Sequence, residues 1–293
     1  VILMYKEVAL NPSCLSGFEY YSFLKQQFGF DKGKYVAADR RAWAQEAMIA
    51  VKQAGLSAVR EQSIKNYLNK LPRSRERDEF LLAPDRQKVQ GENWSSWLDS
   101  QARIRPFDFT VSESAHNGAI DINAISNGHP GWSVPASLSV PRSAVAIVEA
   151  VGGLLRLSTE IILIDPYFRL AENQTLFELL RGLQGASVRS MCVVSTINSA
   201  SPQQVYQREY LAINGRGIGL EWVVAPDQFF HDRYLLTDAG AVRAGHGFMS
   251  DVVKGVHADL LNLNLIGVEE AERTRQSLKS LLEAGRATKI TIV

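Results

Sequence analysis

The chain has 293 residues, 46% of them hydrophobic and 22% charged, with a formal net charge of +1. That balance belongs to a folded protein and excludes a disordered or collagen-like chain. No apolar run approaches the ~20 residues that span a bilayer, and Val1-Ile2-Leu3-Met4 lacks the positive flank and cleavage site of a signal peptide. A cytoplasmic protein with no membrane partner is expected. Cys14 and Cys192 stand far apart with no zinc-type spacing, so neither a disulfide framework nor a metal or cofactor is expected.

In chain order, Phe18, Tyr21, Phe23, Leu24 and Phe28 recur at helical spacing before a Gly29/Gly33 break. Ala42 to Ala54 and Ser57 to Leu71 repeat the pattern, and Pro72 ends the last of these helices. Residues 1–72 therefore read as a helical domain, a surface for a partner protein. Residues 73–105 turn polar and read as a charged connector in which Trp94 and Trp97 are packed anchors. Residues 1–105 carry 17 Lys/Arg against 12 Asp/Glu, a mild pointer to a polyanionic partner. Lys70, Arg73, Arg75 and Arg77 read either as a solvated charged face or as contacts to a nucleic-acid backbone.

From residue 106 onward strands and helices alternate. Phe107 to Val111 and Ala119 to Ile122 are strand-like, and Ser143 to Leu157 reads as a helix. Ile161-Ile162-Leu163-Ile164 has the all-apolar composition of a strand buried on both faces. Thr175–Leu183 and Pro202–Ile213 then read as helices, separated by a strand over Val188–Ser195 and followed by another at Leu220–Val224. Short strands around 229–248, a helix over Glu269–Ala284 and a strand over Lys289–Val293 close the chain. The alternation predicts an α/β domain over 106–293, a mixed sheet flanked by helices.

The stretch Phe229 to Asp238 carries the chemistry. On an extended strand alternate side chains share a face, so His231 and Arg233 are expected to project together, and the turn Ala239-Gly240 can bring Asp238 back to them. Gly245 and Gly247 flank His246, which has an even claim on the same cavity. The spacing His231-x-Arg233-x4-Asp238, with Gly245 following, resembles the phospholipase D signature, and Asp165-Pro166-Tyr167-Phe168 and Leu260–Leu265 fit the surroundings of that motif. The resemblance covers about 150 residues and implies a phospholipase D-like fold. In that family two motifs meet, one histidine attacks phosphorus, the other protonates the leaving oxygen, and no metal is needed.

Carried to these residues, the resemblance implies a metal-independent phosphodiesterase or nuclease acting on nucleic acid, in bacterial defence or DNA processing. His231 is then nucleophile or general acid, Arg233 holds phosphate and Asp238 orients the pair. Gly245, His246, Asp165 and Tyr167 contact substrate. A chain with one motif completes the site as a homodimer. The sequence departs from the family pattern at three points: Arg233 replaces a lysine, His246 a serine and Phe248 an asparagine. The alternative is therefore a catalytically inactive module that binds nucleic acid or another anion, or assembles a complex. Two plainer readings stay open: His231 and Asp238 as a hydrogen-bonded structural pair, and Asp165-Pro166 as a turn opening a helical region rather than the end of a central strand.

Overall fold

The structure is a computed structural model and describes residues 3–73, 79–114, 118–250 and 259–293. The chain divides into two compact units, one formed by residues 6–134 and the other by residues 1–5 together with 135–293. This corrects the expected division at residues 72 and 105.

In the unit 6–134, β1 (Lys6–Leu10) lies between β2 (Lys34–Val36) and β3 (Phe109–Val111), parallel to both. Helices α1 (Phe18–Gln27), α2 (Arg40–Gln53), α3 (Ala58–Lys70), α4 (Trp94–Ile104) and α5 (Ile122–Ser126) complete it. Asp39 and Asn93 cap α2 and α4 by accepting from backbone N–H groups of the first turn, donors the helix itself cannot satisfy. The core gathers Trp43, Phe80, Trp94, Trp97 and Trp132. Residues 1–72 are thus not a helical domain, and 73–105 not a connector. Phe80 and Trp97 are fully buried, and Arg86 lies beneath the surface, ion-paired to Glu7 of β1.

The other unit is built on an eight-stranded mixed sheet. Its elements are β4 (Ser137–Pro141), α6 (Ala144–Arg156), β5 (Glu160–Ile164), α7 (Gln174–Gly182), β6 (Ser190–Ser195), α8 (Pro202–Glu209) and β7 (Gly219–Val224). They continue with β8 (Arg233–Thr237), β9 (Ala241–Ala244), β10 (Leu260–Leu265), α9 (Val268–Glu283) and β11 (Thr288–Thr291). The order is β11-β7-β6-β5-β8-β9-β10-β4, with β5, β6 and β7 parallel and every other neighbour antiparallel. The α/β alternation expected over residues 106–293 is present from residue 135 onward, whereas Phe109–Val111 joins the sheet of the unit 6–134. The sheet changes direction between β5 and β8, where Ile164 pairs with Tyr234.

Tyr5 belongs to this second unit. Its hydroxyl accepts the Ala241 N–H at 3.0 Å, and its ring lies where a Cβ on Gly240 would clash. Among the described residues no helix is long and apolar enough to cross a membrane.

Candidate anion site at the junction of β5 and β8

Parallel strands β5, β6 and β7 end on one side of the sheet, where open α/β folds place ligands. Antiparallel β8 begins on that side. Asp165 follows the last residue of β5, and Arg233 opens β8 beside it. Asp165-Pro166 is thus both the end of a central strand and a turn: the Phe168 N–H donates to the Asp165 carbonyl at 3.1 Å.

The Asp165 carboxylate is buried and accepts the backbone N–H groups of Phe248 at 2.7 Å and Tyr167 at 3.0 Å. Burial pushes its carboxyl above the usual range. The two N–H groups and the charges of Arg233 and Arg142 pull it back down. Gly247 has φ +85°, and a Cβ there would stand 2.4 Å from Asp165 Oδ2, so the position demands glycine twice over. Gly245 is different: a Cβ on it would meet only the Asn262 carbonyl, at an ordinary 3.8 Å.

Arg142 is the site residue that the motif does not contain. From the end of β4 it donates through Nε to the Met249 carbonyl and through Nη2 to the His246 carbonyl, both at 3.1 Å. It thereby straps the 246–249 segment, whose Phe248 N–H holds Asp165. Only the register β4–β10–β9 brings it there, and a local sequence window contains no trace of that pairing.

Arg233 is half-buried, and among the described residues its guanidinium makes neither a hydrogen bond nor an ion pair, with Nε buried and unpartnered. Besides Asp165, it neighbours the ring of Tyr167, 5.8 Å from the guanidinium carbon. Tyr167 itself is 49% exposed. A cation over an exposed aromatic face is poised for an anionic, ring-bearing ligand.

His231 and Asp238 differ from expectation. Residues 231 and 232 form a bend ahead of β8, so strand alternation does not extend to His231. Its exposed ring borders a cleft of 1220 Å³ whose wall includes Ile164 and Tyr234, the cross-strand pair on the α9 side. Arg233 does not line that cleft. Asp238 follows the opposite end of β8, accepts from Thr159 N and Thr159 Oγ1 at 2.8 Å, and ties β5 to β8 there. A five-residue strand is extended and cannot fold its ends together, so Asp238 does not orient His231, and the two are not a hydrogen-bonded pair.

At the other expected positions, His246 is exposed, and Phe248 is buried and supplies only its backbone N–H to the site. Lys70 and Arg73 are exposed in the unit 6–134, whereas Arg75 and Arg77 lie outside the described residues. Among the described residues no group of three or more His, Cys, Asp or Glu side chains is placed to hold a metal ion.

No family model matches this chain, and no curated protein does. Among solved structures the chain is similar to TrmBL2, an archaeal chromatin protein whose structure is described as showing a novel mode of DNA binding. The two are 13% identical, the match covers 83% of this chain and 92% of that one, and the TM-score is 0.33. A likeness of that size carries no argument about fold or function.

Proposed function

We propose that residues 135–293 form a phospholipase D-like domain that holds a phosphodiester of a nucleic acid at the junction of β5 and β8. The observation that carries this reading is Arg233, whose guanidinium makes no hydrogen bond or ion pair among the described residues, set beside an exposed tyrosine ring where the parallel strands end. The parallel run β5–β6–β7 with antiparallel β8 beside β5 supports the fold assignment. Arg233 opens β8, and His231 stands in the bend just ahead of it.

Binding has more support than hydrolysis. Asp238 is spent on the far end of the sheet, and Phe248 offers no polar side chain. A second reading, a dimeric nuclease, is favoured by one observation: the His231 ring is exposed and makes no hydrogen bond among the described residues, so a second copy could approach it. In that reading one imidazole attacks phosphorus, breaking the P–O bond to the leaving oxygen, which the other imidazole protonates; water then attacks the phosphohistidine, breaking its P–N bond to free the phosphate product and the histidine.

The test is to incubate the pure protein with single- and double-stranded DNA and RNA in excess chelator, following both binding and cutting. Salt-dependent binding that falls at least tenfold in Arg233→Ala, without cutting, is the expected result. Chelator-resistant cutting that disappears in His231→Ala would establish the nuclease instead. Binding indifferent to Arg233→Ala would overturn the phosphodiester site.

A further inference from the structure

We propose that the cleft bordered by His231 is a groove for single-stranded nucleic acid. The inference rests on the phosphodiester reading. At 1220 Å³ the cleft exceeds the ~300–1,000 Å³ of ordinary small-molecule pockets, and its size suits a length of chain better than a metabolite.

One wall is the turn at Asp227–Phe229 and the other is α9 with the segment after it. Phe229 lines the cleft and is half-buried, its ring braced edge-on by Phe230 at 5.3 Å. A braced ring at the side of a groove is a stacking platform for a base, and a base reaches it only when it is not paired in a duplex.

The charges are arranged for a polyanion. The cleft's two carboxylates, Asp232 and Glu270, both face Arg243, at 3.7 and 3.5 Å. Glu270 also accepts the Tyr234 hydroxyl at 3.1 Å. Against these two carboxylates the wall carries three arginines, a balance of +1. Arg273 and Arg286, also on the wall, are exposed and make no ion pair among the described residues. They are left to meet phosphates, which arginine binds through two parallel N–H donors.

The experiment is fluorescence anisotropy with a labelled twelve-nucleotide oligothymidylate and a mixed-sequence duplex of the same length. It compares the wild type, Arg233→Ala, the double variant Arg273→Glu/Arg286→Glu, and Phe229→Ala. The double variant should bind the oligothymidylate at least tenfold more weakly. Losing two phosphate contacts should also make its plot of log affinity against log salt shallower by about 1.4. Phe229→Ala should bind about tenfold more weakly with its salt slope unchanged. The duplex should bind more weakly than the single strand to the wild type.

If both cleft variants bind the oligothymidylate like the wild type while Arg233→Ala loses it, the groove is overturned and the phosphodiester site stands. If the cleft variants lose binding and Arg233→Ala does not, the groove stands and the site at Arg233 falls. Tighter binding of the duplex overturns the groove, and no binding of either probe overturns both. Thermal unfolding of each variant separates lost contacts from lost fold, since Arg273 and Arg286 are surface residues.

Discussion

Arg86 and Arg233 each lie near a carboxylate, one in each unit, and the protein uses them in opposite ways. Arg86 spends its donors: Nε and Nη2 reach Glu7 at 2.8 and 2.7 Å, and Nη1 reaches the carbonyls of Gln101 and Arg105 at 2.7 and 2.8 Å. Arg105 adds a second cation to Glu7 and binds Asp85 with its remaining nitrogens. Arg233 spends none on any described residue. A buried charge whose hydrogen bonds are all made belongs to the fold, and one whose donors are idle is available to a ligand. The comparison also reduces the apparent basic character of the N-terminal part. The unit 6–134 carries 17 Lys/Arg against 15 Asp/Glu, and two of those arginines are consumed by this network.

The largest expected effect falls on the satisfied arginine. Arg86→Ala strands Glu7 as a buried, half-paired charge and should cost the unit 6–134 about 3–5 kcal/mol, read as a lower urea midpoint for the transition that reports on Trp97. An unchanged midpoint would mean that the network is ornamental.

Asp238→Ala comes next. It removes the acceptor for Thr159 and should cost about 1–3 kcal/mol, while leaving affinity for phosphodiesters as it was. Arg233→Ala should do the reverse, shifting stability by no more than about 0.5 kcal/mol while binding drops. If Asp238→Ala lost binding and Arg233→Ala lost stability, the roles assigned to the two ends of β8 would be exchanged.

The last effect is a pH dependence in the unit 6–134. Burial, with the charges of Lys6 and Lys32, depresses the Lys34 amine from 10.5 to about 8. The folded protein then binds that proton more weakly than the unfolded chain does. Between about pH 8 and 10.5 the unfolded state holds more protons, and folding grows more favourable as pH rises. Cys14 and Tyr20, pushed upward by burial, act in the opposite direction but cancel when wild type and Lys34→Met are compared. The stability difference should move in favour of the wild type across that window. A flat difference would show that Lys34 titrates normally.

The α/β half of the fold was legible because its signals are local. Ile161-Ile162-Leu163-Ile164 has the short length and β-branched composition of a buried strand, and the helices at Ser143, Thr175 and Glu269 follow from spacing. Trp94 and Trp97 read as anchors and are anchors. The parallel sheet of the other unit was not legible, because β1 and β2 contain Lys6, Glu7 and Lys34, charges that look solvated to a local window. Their partners are far away: Glu7 meets Arg86, and Lys6 donates to the carbonyls of Gly131 and Ser133. The same cause hid Arg142, and the bend at residues 231–232 defeated the alternation rule one step before it was needed.

Tyr5 sets a condition on the order in which the protein is made. Its hydroxyl and ring serve Ala241 and Gly240, which follow it by some 235 residues. At 5–20 residues per second, roughly 10–50 s of translation separate this tyrosine from its partners. The nested segment 6–134 can fold in that interval, but the unit on either side of it in the chain stays unfinished until the ribosome has passed Ala241. A fragment begun at Pro135 would never receive the missing piece.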